Sequence, residues 1–426
     1  MLDCPRLPIE LLEIVIEAAR HDLPTLRGLS LVSQFFLVPC QRYIFRKIVL
    51  NPPSRIEENI PGTKMCSTLL DILRHNYVLC RYVQEIHFIQ EYFSRLERSW
   101  LLDNVAEDIL SVLSYSPIRS LSIIFPLAVY TPQRQWSNLS SGFRQSLYQT
   151  LHNPHFRHLT LSHIEFIPNH LPTHFPNITH LTLTTVTFSS KSGHWVTAQR
   201  NQNQTSSRLH HLELGYSPNA RSGTQTTNPF SNIDTSQISS LVLSLPDTPR
   251  PTFQVTPLLQ LRRLKVLHIH FTYSPRWSFL HTDGYKLDFT ALTSLEELTF
   301  SGKPSERHDK RNLIFWDPEV KWCLSTYSST RLKHLKIILK LGAINVETFL
   351  DDLQDTLTQL SCGLASAYEK SQEMLKDIEI RFETEDRMVL ALRERATSLL
   401  SWKGCEGVLK VEFPHGFVPC LPYELC

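Results

Sequence analysis

Histidine is the residue type in this chain whose spacing most invites a chemical interpretation. The sequence holds 19 histidines, and several of them fall between residues 152 and 180. These are His152, His155, His158, His163, His170, His174 and His180. A metal centre needs ligands that converge on one point, whereas these residues are spread over two predicted strands and their loops. We interpret them as surface histidines and expect no metal site.

Cysteine and glycine patterns also fail to indicate catalysis. The nine cysteines form no C-x-x-C pair, and their odd number does not suit a disulfide framework. Reduced thiols in a cytoplasmic or nuclear protein are therefore expected. Cys40 and Cys323 lack the His and Asp context that activates a nucleophile, and no Gly-rich phosphate loop occurs. We expect no catalytic residue and no cofactor, so the chain is not predicted to be an enzyme.

The charge balance argues against two classes of partner. The chain has 43 Lys and Arg residues against 41 Asp and Glu residues, a formal net charge of +2. Such a chain has no strong field to attract nucleic acid or an anionic membrane. The acidic start of the chain is unlike a signal peptide, and no window of about 18 apolar residues predicts a transmembrane helix. Neither nucleic acid nor a membrane is expected as a partner.

The first fifty residues carry the pattern of three short helices. Leu7-Pro8 opens the first, because proline is favoured at an initial helical position. Apolar residues then recur at three- and four-residue spacings, which places them on one face. We predict a second helix over 25–34 and a third that begins at Pro39. So small a unit holds more apolar residues than it can bury internally, which indicates a partner.

The same segment resembles an F-box of the fungal type. The resemblance rests on Leu7-Pro8, Glu10-Leu11-Leu12, Leu26, Leu29, Leu31-Val32-Ser33 and Phe45. It implies binding to a Skp-type adaptor and, through that adaptor, to a cullin. The adaptor-binding residues would be Leu7, Pro8, Ile9, Leu11, Leu12, Val15, Leu29, Val32, Phe36 and Phe45. Phe36 stands where the family commonly has Trp, although an aromatic ring is retained. The alternative is an ordinary helical cap on the following domain.

Beyond residue 80 a short strand motif recurs: an apolar residue, two others, an apolar residue, one other and a third apolar residue. Its copies lie at 83–88, 118–123, 156–161, 178–183, 209–214, 238–243, 264–269, 295–300, 332–337, 375–380 and 408–413. Because strand residues two apart face the same side, the second and third apolar positions point inward. Helix-like stretches at 104–113, 143–151 and 346–360 separate some copies.

A strand and a helix in each repeat predict an α/β solenoid. The pattern resembles the irregular leucine-rich repeats that follow the F-box in many receptors, and this implies a right-handed solenoid with a mainly parallel sheet. The alternative is a doubly wound α/β sheet. The predicted organisation is an F-box at 1–50, a junction at 51–80 and the solenoid at 81–426.

Two polar stretches, 187–208 and 216–236, are predicted to be loops that project from the solenoid. Their aromatic residues, together with two outward strand residues, are the candidate contacts for a protein substrate. These candidates are Trp195, Tyr216, Phe230, His268 and Lys336. The alternative is that the loops are insertions that the fold tolerates.

The expected function is therefore recruitment. The chain would be the substrate-recognition subunit of a Skp-cullin-F-box ubiquitin ligase, with an unknown protein substrate held by the repeats. Two alternatives remain: a scaffold that assembles a complex without ubiquitination, and a small-ligand sensor built on leucine-rich repeats.

Overall fold

The structure is a computed structural model. It describes residues 8–51, 62–90, 104–125, 135–168, 177–186, 208–215, 235–246, 261–272, 289–302, 331–340, 375–383 and 409–412. Short pieces at 171, 188–189, 305–306, 313–314, 324, 358, 364–365 and 368–369 are also described. The chain divides into two compact units. The first comprises residues 1–167, 175–178 and 426, and the second comprises residues 168–174 and 179–425. The predicted helix at 346–360 lies almost wholly outside the described residues.

Three helices open the first unit: α1 (Ile9–Ala18), α2 (Leu23–Val32) and α3 (Gln34–Ile44). The Asp22 carboxylate caps α2 by accepting from the Thr25 backbone N–H at 3.2 Å. The Ser33 hydroxyl caps α3 by accepting from the Phe35 backbone N–H at 3.2 Å. The prediction that the third helix begins at Pro39 is wrong, because the Ser33 cap starts it earlier and Pro39 lies inside it. A proline inside a helix removes one backbone hydrogen bond, and its ring crowds the carbonyl of the preceding turn.

These helices enclose a small core of their own. Ile16, Leu26 and Cys40 are buried there, one from each helix. Ala19, Leu29, Phe36, Tyr43 and Ile44 pack around them and are partly buried. This core fixes the three helices relative to one another, and so fixes the side chains that they present outward.

The rest of the first unit alternates strands with helices. Its strands are β1 (Lys47–Leu50), β2 (Glu85–Ile89), β3 (Ser120–Ile124) and β4 (His158–Ser162). The two-residue β5 (Ile167–Pro168) has its first residue in this unit and its second in the other. Its helices are α4 (Gly62–His75), a 3-10 helix (Tyr77–Tyr82), α5 (Asn104–Leu113), a 3-10 turn (Trp136–Asn138) and α6 (Ser141–Leu151). The strands β1 to β4 pair in parallel and in chain order. The predicted helices at 104–113 and 143–151 are confirmed as α5 and α6.

The second unit continues the strand pattern. Its strands are β6 (His180–Thr184), β7 (Phe188–Ser189), β8 (His211–Gly215), β9 (Ser240–Pro246), β10 (Val266–Thr272), β11 (Glu297–Gly302), β12 (Ser305–Glu306), β13 (Leu313–Ile314), β14 (His334–Lys340), β15 (Asp377–Glu383) and β16 (Leu409–Glu412). Eight of them, β6, β8 to β11 and β14 to β16, pair in parallel in chain order. All eleven predicted motifs are strands, and the α/β class with a parallel sheet is confirmed. A doubly wound order, which reverses at a switch point, occurs in neither unit's described strands.

The middle leucines of the motifs lie in the core, as predicted. Leu121, Leu159, Leu181, Leu212, Leu241, Leu267, Leu298 and Leu335 are all buried. In the second unit they occupy matching register positions, as where Leu267 pairs with both Leu241 and Leu298. The last motif was predicted two residues out of register, because Leu409 and not Val411 pairs with Ile378. A shift of two residues keeps the same side chains inward, so alternation alone does not fix it.

Candidate functional site

The three-helix segment exposes apolar side chains that a stable surface would ordinarily bury. Those with the largest exposure lie where α2 ends and α3 begins: Leu31 is 86% exposed, Phe35 is 73% and Val32 is 72%. We call these three residues the helical corner. Other exposed apolar residues of the segment are Leu11, Ile14, Val15, Leu23, Leu37 and Val38. Clustered apolar exposure on a small helical unit makes this surface a candidate interaction site.

The structure separates the predicted adaptor-binding residues into two groups. Pro8, Leu11, Val15 and Val32 are exposed, and Leu12 and Phe45 are partly buried. Leu29 and Phe36 pack against the core of Ile16, Leu26 and Cys40, so their main contacts hold the helices together. Leu7 and the side chain of Ile9 lie outside the described residues.

Two prominent members of the helical corner were absent from the predicted site. Leu31 belongs to the Leu31-Val32-Ser33 part of the F-box resemblance, yet it was not chosen as a contact. Phe35 was missed because the third helix was expected to begin at Pro39, which would have left Phe35 in a loop. The signal that could have found it is Ser33, since serine is a preferred N-cap residue.

A polar link fixes α1 against α3. The Tyr43 hydroxyl donates a hydrogen bond to the Glu17 carboxylate, and Arg20 forms an ion pair with the same carboxylate. These bonds, that from Tyr43 first, lower the pKa of Glu17 below its usual value. The pKa of Tyr43 is raised in turn, chiefly by its hydrogen bond to Glu17. The link is local to the exposed edge of the helices and leaves the helical corner free for contact.

The outward face of the second unit's sheet is the other candidate surface. His268 and Lys336 lie on it in one register row, with Thr299 between them. The structure therefore brings together these two predicted substrate contacts. Trp195, Tyr216 and Phe230 lie outside the described residues.

His268 belongs to a hydrogen-bonded cluster that joins β10 to β11. Its Nε2 lies 2.7 Å from the Ser301 Oγ, and the Nδ1 of His270 lies 2.9 Å from the same oxygen. Burial lowers the pKa of both imidazoles, and the Lys340 charge adds to this, so that the pKa of His270 falls to about 4. Both rings are therefore neutral near pH 7. Because Ser301 is only 2% exposed, the cluster satisfies a buried hydroxyl and does not present it as a nucleophile.

Lys336 belongs to a ladder of ion pairs across β14, β15 and β16. Its Nζ lies 2.7 Å from a Glu379 carboxylate oxygen. Arg381 then bridges Glu379 at 3.0 Å and Glu412 at 2.8 Å, and Lys410 also pairs with Glu412. The Lys410 contact, followed by that of Arg381, lowers the pKa of Glu412 to about 2. The ladder pairs three cations with two carboxylates and links three neighbouring strands.

No group of three or more His, Cys, Asp and Glu residues within the described ranges is placed to hold a metal ion. None of the described helices is long and apolar enough to cross a membrane.

No protein-family model matches the chain, and no curated protein matches it. Among solved structures, one match is a crystal structure of a Bacteroides fragilis protein that was a target of the Northeast Structural Genomics Consortium. The two sequences are 10% identical, and the match covers 85% of this chain and 73% of the Bacteroides fragilis protein. The TM-score of the superposition is 0.28.

Proposed function

We propose that the chain is the substrate-recognition subunit of a Skp-cullin-F-box ubiquitin ligase. In this proposal residues 1–50 are the F-box, and the strands beyond them form a right-handed solenoid of irregular leucine-rich repeats. The F-box binds a Skp-type adaptor, which connects the chain to a cullin. The repeats hold a protein substrate.

The observation that carries the proposal is the helical corner. Leu31, Val32 and Phe35 are exposed although the three helices have a core of their own. Burying one large apolar side chain contributes about 1.5–3 kcal/mol, so a partner that covers all three would gain substantial binding free energy. The residues lie within the segment that resembles an F-box, and the adaptor is the partner that this resemblance implies.

The strand pattern supports the second half of the proposal. Repeats that pack only on their neighbours produce an extended face of strands on which a partner can bind. In this chain the outward strand residues are mainly polar and pair across strands, as His268 with Ser301 and Lys336 with Glu379. Such a face is ordered before a substrate arrives, which reduces the entropy lost on binding.

The proposed contribution to ubiquitin transfer is proximity. A receptor that holds a substrate beside a separately bound ubiquitin-charged enzyme raises the effective concentration of the reacting lysine. No bond-making group is needed from this chain.

Co-purification tests the proposal. The full chain, expressed in a fungal or other eukaryotic cell, should recover a Skp-type adaptor and a cullin. A variant with Leu31, Val32 and Phe35 all replaced by Ser should lose both, because the apolar contact is removed. Recovery of the adaptor without a cullin would favour the scaffold alternative, and recovery of neither by the unaltered chain would overturn the proposal.

A further inference from the structure

A groove between α1 and α3 has walls of opposite charge. Its volume is about 1070 Å³. Glu10 and Glu13 line it from α1, Arg42 lines it from α3, and Arg46 lines it from the turn that follows α3. Glu17 and Arg20 also line it, but they form an ion pair with each other. The net pattern is therefore an acidic wall facing a basic wall.

The groove is held in shape by contacts at its base. The Glu17–Tyr43 hydrogen bond joins the two walls. The turn that follows α3 is fixed to the start of β2, because the Arg46 carbonyl accepts from the backbone N–H groups of Gln84 at 2.9 Å and Glu85 at 3.0 Å. The charged walls thus have a defined separation before any partner binds.

The charges on the walls are available to a partner. The carboxylates of Glu10 and Glu13 have no hydrogen-bond partner among the residues that the structure describes. The Arg46 charge acts on Glu17, but its guanidinium makes no hydrogen bond within the same part of the chain. Arg42 lies 5.9 Å from the centroid of the Tyr82 ring and likewise makes no hydrogen bond within the described ranges. Charged groups that make no internal hydrogen bond can bind opposite charges on an approaching protein.

The groove is continuous with the exposed apolar surface of the helices. Ile14 is 62% exposed and lines the groove beside Glu10 and Glu13. A protein that covers the apolar side chains of α1 therefore reaches the acidic wall as well. Apolar contacts are non-directional, whereas two walls of opposite sign favour one orientation of a partner over its reverse.

We infer that this groove orients the adaptor: it takes an adaptor segment that presents basic side chains to Glu10 and Glu13 and acidic side chains to Arg42 and Arg46. The inference rests on the proposed function. The apolar side chains supply most of the affinity, and the charged walls determine orientation and speed of encounter.

A charge swap that preserves net charge tests the inference. The variant carries Glu10→Lys, Glu13→Lys, Arg42→Glu and Arg46→Glu, and its association rate with a purified Skp-type adaptor is measured at low and high salt. We expect a fall of roughly tenfold at low salt, and a smaller difference at high salt because salt screens exposed charges. The matched control swaps Lys64→Glu and Asp71→Lys on α4, outside the groove, and should associate as the unaltered chain does.

The outcomes separate this inference from the proposed function. If the unaltered chain binds the adaptor and the swapped variant associates at the same rate at every salt concentration, the inference is overturned and the proposed function stands. If the unaltered chain does not bind the adaptor, both fail. Should the fourfold variant not fold, the pair Glu13→Lys with Arg46→Glu preserves net charge and is subject to the same two outcomes.

Discussion

Ser301 can donate its one hydroxyl proton to one imidazole and accept from the other, or it can accept from both, because a hydroxyl oxygen has two lone pairs. Neutral rings at His268 and His270 can form both hydrogen bonds. Burial of the two rings disfavours their charged forms. The cluster is therefore suited to neutral pH and vulnerable to acid.

Stability of the second unit should consequently fall on acidification. A histidine in an unfolded chain titrates near pH 6.5, whereas the pKa of folded His270 is about 4. The unfolded state therefore takes up the proton first, and stability present above pH 6.5 is lost as the pH falls toward 4. We expect the urea midpoint to decline over this window, and less steeply in His270→Gln.

The control for this prediction is His334→Gln, a partly exposed residue on the same face of the sheet. It should leave the decline of the urea midpoint unchanged. An equally steep decline in His270→Gln and in the unaltered chain would show that the Ser301 cluster does not confer the acid sensitivity.

At the residue scale, alternation was enough to place His268 and Lys336 on the outward face. It could not identify their partners, because Ser301 and Glu379 lie on other strands and a cross-strand pair depends on register. Of the three residues of the helical corner, only Val32 was among the predicted contacts, for a different reason. Whether an apolar residue such as Leu29 or Leu31 points inward depends on where each helix starts and how the helices pack.

At the element scale, strands with a clear local sequence pattern were predicted, and a strand defined only by its pairing was not. The eleven strand motifs were predictable because each carries its own alternation of apolar and polar residues. The strand β1 (Lys47–Leu50) was missed because it is short and lies in a segment read as helical. Only its parallel pairing with β2 makes it a strand.

The ion-pair ladder provides a prediction at the element scale. Glu379 is 15% exposed and joins Lys336 to Arg381, so Glu379→Gln leaves two partly buried cations without their shared carboxylate. We expect a loss of about 1–2 kcal/mol in the free energy of unfolding, measured by urea denaturation.

The matched control is Asp108→Asn, which removes a carboxylate from the Arg74–Asp108 pair. Both of its side chains are about half exposed, so the expected loss is about 0–1 kcal/mol. Equal losses in the two variants would mean that the ladder stabilises the strands no more than an ordinary surface pair does.

At the scale of the whole molecule, the two proposed binding surfaces lie in different units. The helical corner belongs to the first unit, and the polar sheet face that carries His268 and Lys336 belongs to the second. Sequence patterns predicted the fold class and the order of the strands, since repeats impose both locally. They did not predict the division into two compact units, which depends on contacts between distant segments.

A core substitution in the second unit should lower the stability of the chain without changing its affinity for the adaptor. Leu267 is fully buried and pairs with Leu241 and Leu298 in register. Leu267→Ala should cost about 2–5 kcal/mol of stability, seen as a lower melting temperature. Adaptor affinity, measured below that temperature, should not change. A parallel loss of affinity would contradict the assignment of adaptor binding to the helical corner.

The most direct test of the central claim is the dissociation constant for a purified Skp-type adaptor, measured by calorimetry. Replacing Leu31 and Phe35 together by Ala removes two exposed side chains and leaves the helical core intact. At about 1.5–3 kcal/mol for each side chain, binding should weaken by roughly 100-fold or more. The control Met65→Ala with Ile72→Ala, on the exposed face of α4, should bind as the unaltered chain does. A dissociation constant unchanged by the Leu31 and Phe35 substitutions would contradict the account.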